Sequence, residues 1–337
     1  MDVYGQNMMT RKLQEVNGTY LISLPRKWAV RLGLRKGAVV TLRERQDGSI
    51  VVSAVPGETK EEETEATVIF PVRGLNITDV VIGLYLLGYD KVDIKWRPGR
   101  VPTEDRNRIR GLTKILAGVE VIDESEDEMF LRCVLDPSSM KPRMILRRMG
   151  FLAGKMVQEL SGAVGDNKLL GSVAASDDDL DRAYFLLVRL LRSALRRPQL
   201  VEGFELETTD YLDYRVAAEL VESMGDRASN MALAAIADSA TRRILSGHSQ
   251  DLSYLGSDVI SSSMEAFISK DRFKAEEAKK HIDSLWKRVR ATAKDVGRGE
   301  VERQTSGAST AFIDGLLESC RNLLDLIGPV DVTGKYK

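Results

Sequence analysis

The sequence predicts a multidomain α+β chain: a small β-rich head, a short α/β segment, then an all-α body. Three observations carry that prediction. Up to residue 56 the apolar residues fall in short β-branched runs. The stretch "VPGETKEEETEA" (55–66) then breaks the pattern with Pro-Gly and a run of acids. From Pro137 onward apolar residues recur at helical spacing almost to the end. At 337 residues the chain is too long for one core, and 43% hydrophobic with 29% charged residues is an ordinary globular composition, neither disordered nor membrane-like. No run reaches the ~18 apolar residues of a spanning helix. "MDVYGQNMMTRKLQ" lacks the apolar core of a secretion signal, so a cytoplasmic location is expected. Cys133 and Cys320 match no metal or redox spacing and read as small hydrophobes in a reducing compartment.

The head, residues 1–56, reads strand, short helix, strand, turn, strand. "TYLISL", "AVVTLRER" and "SIVVSAV" are the strands, and "QDGS" supplies a hairpin turn. Pro25 opens the helix "RKWAVRLGL", which closes near Gly33 and Gly37. Residues 1–55 hold nine Lys and Arg against four Asp and Glu, a charge of +5 that leaves −6 on the rest of a chain of net charge −1. A basic head on an acidic body is the distribution expected when one module meets a polyanion.

Residues 66–136 read as a small α/β domain of linking or dimerising role. It has strands "ATVIFPV", "KVDIKW", "VEVIDE" and "EMFLRCVL", and helices "ITDVVIGLYLLGY" and "EDRNRIRGLTKILA". Asn76 or Thr78 is the expected cap of the first helix and Thr103 of the second. The body reads as three long helices over 137–246 and three more over 250–330, two tandem antiparallel bundles. The repeat is visible in residues: "LDRAYFLLVR" from Leu180 aligns with "IDSLWKRVR" from Ile282, and "LVESMGDRASNMA" with "LLESCRNLLDLI".

Two resemblances follow from these motifs. "RKLQEVNGTYLISLPRKWAVRLGLRKGAVVTLRERQDGSIVV" resembles the SpoVT/AbrB-type domain, with its strand, Pro25, Gly-terminated helix and "LGLRKG" in order; Ala38 stands where an acid commonly follows the glycine. That resemblance implies a homodimer whose hairpins interlace into one swapped-hairpin β-barrel on double-stranded DNA. "ELVESMGDRASNMA" (219–232) and "DDDLDRAYFLLVR" (177–189) are similar to the motifs of the PhoU phosphate-uptake regulator family. Together they look like the archaeal proteins that set an AbrB-type head on a PhoU-like body.

Arg11, Lys12, Arg26 and Lys27 flank the first strand and enter the short helix, where members of the family place DNA contacts; a solvated cationic face is the plainer reading. Trp28 reads as a core or dimer anchor. The PhoU resemblance implies a metal bound through the Glu222/Asp226 pair, which shares one helix face at i, i+4. Asp177 and Asp181 repeat that spacing one helix earlier and complete an all-oxygen set for Mg, Mn, Fe or Zn, a divalent or ferric ion.

On a helical wheel Glu222 and Asp226 lie opposite the stripe of Ala217, Leu220, Val221, Met224, Ala228, Met231 and Ala235, so they are expected on the surface, where plain solvated acids are the alternative. Ser176 reads as an N-cap, which alone accounts for the acids that follow it. The second bundle keeps Asp283 and Glu318 but has Asn322 for Asp226 and Lys279 for Asp177, so a second site there is expected to be weaker. His248 and His281 follow no Glu-x-x-His spacing and read as surface or loop histidines, and no nucleophile–base pattern points to an enzyme.

The expectation is a dimeric DNA-binding transcriptional regulator of phosphate uptake, its metal-binding PhoU-like body coupled to the AbrB-like head. The alternative is an adaptor that restrains a phosphate transporter or its signalling partner by protein contact, with the head used for dimerisation.

Overall fold

The computed structural model describes residues 10–44, 48–54, 63–72, 74–197, 200, 203–295 and 300–327, and it divides into two compact units, Met1–Glu62 and Glu63–Lys337. The turn expected at 46–49 falls partly outside the described residues, and the linker expected at 55–66 falls mostly outside them.

In the first unit, β1 (Gln14–Val16) and β2 (Thr19–Leu21) pair antiparallel around Asn17 and Gly18, whose φ values of 51° and 77° are those of a type I′ turn. β1 is an addition to the sequence reading, which began the head at "TYLISL"; the Asn-Gly pair was its signal. Pro25 precedes α1 (Arg26–Arg31), Gly33 and Gly37 turn the chain at φ 66° and 85°, and β3 (Val40–Glu44) pairs antiparallel with β4 (Ile50–Ala54).

The second unit opens with β5 (Glu65–Phe70), α2 (Ile77–Leu86), β6 (Lys91–Trp96), α3 (Thr103–Ile115), β7 (Val119–Glu124) and β8 (Glu128–Cys133). The sheet runs in the order β5-β6-β8-β7, with β5 parallel to β6 and the other pairs antiparallel. Alternate residues Val92, Ile94, Trp96, Met129 and Leu131 are buried against Ile77, Val81 and Tyr85 of α2 and Ile109 and Leu112 of α3. The residues between them, among them Lys91, Lys95 and Glu128, form ion pairs on the open face. Asn76 caps α2, accepting from Thr78 N at 3.0 Å. Thr103 does not cap α3: it is already the first helical residue, and Pro102 precedes it with no side-chain bond to the helix.

The helical body continues with α4 (Pro142–Gly162), α5 (Asn167–Ala175), α6 (Asp177–Arg196), α7 (Asp210–Ala237), α8 (Ser239–Gly247) and α9 (Ser249–Tyr254). A π-turn (Leu255–Val259) leads into α10 (Ile260–Ser269), then α11 (Arg272–Asp295) and α12 (Glu300–Asp325). α4, α6 and α7 are followed by the α9–π-turn–α10 run, α11 and α12, with short α5 and α8 between them. Buried residues of both halves join in one hydrophobic cluster instead of the two separate bundle cores expected. Gly256 meets α4 backbone to backbone: a Cβ there would lie 2.6 Å from Gln158 N and run into Gly154 O.

The α/β segment is fastened to α6. Arg189, 2% exposed, donates to Tyr85 O at 2.9 Å, to Tyr89 O at 2.7 Å and to Asp90 Oδ1 at 2.7 Å. Arg197 also pairs with Asp90. Removing one partner from so buried a pair costs about 3–5 kcal/mol, because the remaining charge stays out of water.

Candidate functional sites

The acids singled out in the body meet where the first turn of α6 crosses the middle of α7. Gly225 permits the crossing: a Cβ there would run into Leu180 and lie 3.3 Å from Asp177 Oδ1. The start of α6 therefore reaches α7 more closely than any side chain would allow. Asp177, Asp181 and Asp226 each place a carboxylate oxygen so that all three lie within 4.8 Å of one another. Asp177 Oδ1 is buried with no hydrogen-bond partner, an arrangement that an added cation or proton would relieve. Glu222, one turn before Asp226, stands just outside the triplet and feels its charge.

Burial and then mutual repulsion raise these groups. Asp177 is pushed up by burial and by Asp226; Asp181 reaches about 6 by burial and by Asp177; Glu222 reaches about 7 by burial and by Asp226. The surface expectation is thus corrected in part. Asp226 is exposed, but Glu222, Asp177 and Asp181 are half-buried, because the wheel of α7 alone does not show α6 lying along its flank. The Ser176 cap is corrected as well. Ser176 has helical φ and ψ of −67° and −14°, and its hydroxyl donates to Ser172 O at 3.0 Å, so α5 runs almost directly into α6. Four carboxylates with no His or Cys among them suit a hard, oxygen-preferring ion such as Mg, Mn or Fe better than Zn.

The second half does not gather a matching set. Asp283 pairs with Arg321 at 3.5 Å, Glu318 is exposed, and neither belongs to a metal-sized group among the described residues. His248 lies in the turn between α8 and α9, as a loop histidine should, but it is buried there, and His281 departs from expectation by lying within α11. His248 is 6% exposed with Nδ1 3.2 Å from Asp251 Oδ2, and Asp251 also accepts from Arg288 Nε at 2.5 Å; His281 is half-buried against Tyr254. Cys320 is buried as predicted, its thiol pushed up to about 12 by desolvation, while Cys133 is half-buried.

In the head, Arg11, Lys12, Arg26 and Lys27 are all exposed: Arg26 and Lys27 form the first turn of α1, and Arg11 and Lys12 precede β1. Trp28 is half-buried. Among the residues of 10–54 whose side chains are described none is buried, and Leu13, Tyr20, Ile22, Val30, Val39 and Leu42 are each more than half exposed.

Sequence reasoning passed over Gly225, whose role needs the partner helix, and the arginines of α6. Arg182, Arg189 and Arg196 recur at seven-residue spacing, with Arg189 inside the apolar run "AYFLLVRLL", and that is the available signal.

Residues 146–235 match the family model for the PhoU domain, and residues 13–60 match that for antidote-toxin recognition MazE, bacterial antitoxin. The body thus contains a PhoU domain, and the head is of the MazE/AbrB type. All four clustered acids fall inside the PhoU match. No curated protein and no solved structure matches the chain. Among the described residues no helix is long and apolar enough to cross a membrane.

Proposed function

We propose that the chain is a dimeric DNA-binding regulator of phosphate uptake acting in the cytoplasm. Its PhoU-type body takes a hard metal ion at Asp177, Asp181, Glu222 and Asp226, and its MazE/AbrB-type head grips duplex DNA through Arg11, Lys12, Arg26 and Lys27. The observation that carries the dimer is the head itself. The head leaves Leu13, Tyr20, Ile22, Val30, Val39 and Leu42 in water and forms no buried core among its described side chains, and burying such side chains is the main driving force for folding. Interlacing with a second copy supplies that core and doubles the +5 charge of the head. A metal at the acid corner would neutralise the crowded carboxylates and occupy the lone oxygen of Asp177.

The test is fluorescence anisotropy of the full chain on promoter duplexes of phosphate-uptake genes over a salt series, with sedimentation to count the copies. A dimer should bind with a steep salt dependence, and Arg26→Ala should lower the log–log slope by about 2, one phosphate contact per copy. A salt-independent or absent affinity would refute the DNA reading. A monomer would refute the interlaced head.

A further inference from the structure

Resting on the reading of the acid corner as a cation site, we propose that α6 is a lever through which occupancy of that corner sets the α/β segment and the point where the head's connection enters the body.

α6 carries two stripes. One holds Asp177 and Asp181, turned to α7, and continues to Tyr184, whose hydroxyl donates to Glu219 of α7 at 3.0 Å. The other holds Arg182, Phe185, Arg189, Ser193 and Arg196 at spacings of three and four, turned to the α/β segment. Arg182 donates to Lys114 O in the last turn of α3, and Arg189 to Tyr85 O in the last turn of α2. Two guanidinium groups, seven residues apart, therefore cap the carboxyl ends of both helices of the segment, where carbonyls lack partners and the helix dipole is negative. Phe185 packs on the segment's core, and Gly88 admits Ser193, whose Oγ would lie 2.6 Å from a Cβ placed there.

The far end of α6 reaches the start of the second unit. Asp90, held by Arg189 and Arg197, accepts from Thr64 N at 3.0 Å and from Thr64 Oγ1 at 3.1 Å with its Oδ2. Thr64 lies two residues into the unit that follows the head, so one carboxylate ties the C-cap residue of α6 to the first strand's entrance. A 20-residue helix is a stiff rod of roughly 30 Å. Without a cation the carboxylates of the corner repel one another across the α6–α7 crossing; with one they draw together. Arg189 and Ser193 are buried at the middle of the second stripe, and Arg189 spends its guanidinium on Tyr85 O, Tyr89 O and Asp90, so the α/β segment follows a shift of α6 rather than sliding over it.

Hydrogen exchange of the full chain with and without Mn²⁺, alongside titration calorimetry of the same ion, tests the lever. Mn²⁺ should slow exchange at 175–182 and 219–230, and also at 64–70 and 85–92, by about fivefold or more, the low end of ordinary coupling between sites. Arg197→Gln and Thr64→Val, both remote from the acids, should still bind Mn²⁺ and protect the corner but lose the slowing at 64–70. Mn²⁺ heat with protection confined to the corner in the wild-type chain overturns the lever and leaves the cation site standing. Distal slowing retained in both variants overturns the Asp90 joint. Absence of Mn²⁺ heat in the wild-type chain overturns the cation site and the lever together.

Discussion

The two halves of the helical body pose the same electrostatic problem and answer it differently. Asp181 and Asp283 occupy equivalent places, as do Glu222 and Glu318. In the first half, Gly225 lets the start of α6 close on α7, and Asp177, Asp181 and Asp226 crowd together with no ion-pair partner among the described residues. In the second half, Arg321 stands where the alignment places Gly225, pairs with Asp283 at 3.5 Å and lies over Trp286 at 5.9 Å; Lys279 stands for Asp177 and pairs with Asp325 at 2.9 Å. A corner of carboxylates alone calls for protons or an external cation, whereas a guanidinium supplied by the chain closes the corner with neither. The PhoU match, which ends at residue 235, covers the open corner and not the closed one.

The largest effect should come from breaking the open corner. Asp226→Asn or Asp181→Asn is expected to weaken Mn²⁺ binding by about a hundredfold or more, read by calorimetry, while Asp283→Asn leaves it unchanged. Gly225→Ala comes next. Its methyl runs into Leu180, so urea unfolding should show a loss of about 1–3 kcal/mol, with weaker Mn²⁺ binding besides. The opposite change, Arg321→Gly, breaks a pair whose members are 47% and 55% exposed, itself worth less than about 1 kcal/mol, and sets a glycine inside α12, so the total cost should be about 1–2 kcal/mol. Adding Lys279→Asp and Asn322→Asp to it rebuilds the first corner's residue set in the second half, and Mn²⁺ capacity should then rise above that of the wild-type chain.

The smallest effect is that of pH on the metal-free chain. Burial, then repulsion, raises Asp181 to about 6 and Glu222 to about 7 in the folded state. A raised acid holds its proton more tightly folded than unfolded. Its stabilising contribution is therefore full below the ordinary carboxylate range and is lost as pH climbs through about 6 to 7. Thermal unfolding without metal should fall modestly across that window, and less so in Asp226→Asn. Mn²⁺ affinity should rise across the same window, since the ion displaces those protons.

Much of this was legible in the sequence because it is local. Period-two runs gave the sheet of 65–133, and helical periodicity gave the body. The resemblance to PhoU motifs, together with the i, i+4 spacing of acids on two successive long helices, pointed to the acids that meet at the corner. The rest depends on contacts between elements. The wheel of α7 correctly set Glu222 apart from the apolar stripe yet missed its desolvation, which α6 imposes. Ser176 has an N-cap's chemistry, but the near-continuous run from α5 leaves it helical. His248 is a turn residue, as its sequence suggests, but its burial against Asp251, which Arg288 also holds, is not visible in the sequence. Arg189 reads as a surface cation by type, and only the approach of α2's carboxyl end explains its burial.

The most direct test of the contrast is the metal content of the chain after equilibration with Mn²⁺ and removal of free ion, measured for the wild type, Asp226→Asn and Asp283→Asn. Metal retained by the wild type, lost in Asp226→Asn and kept in Asp283→Asn is the predicted result. Metal retained in Asp226→Asn, or lost in Asp283→Asn, would contradict the assignment of the open corner to the first half alone.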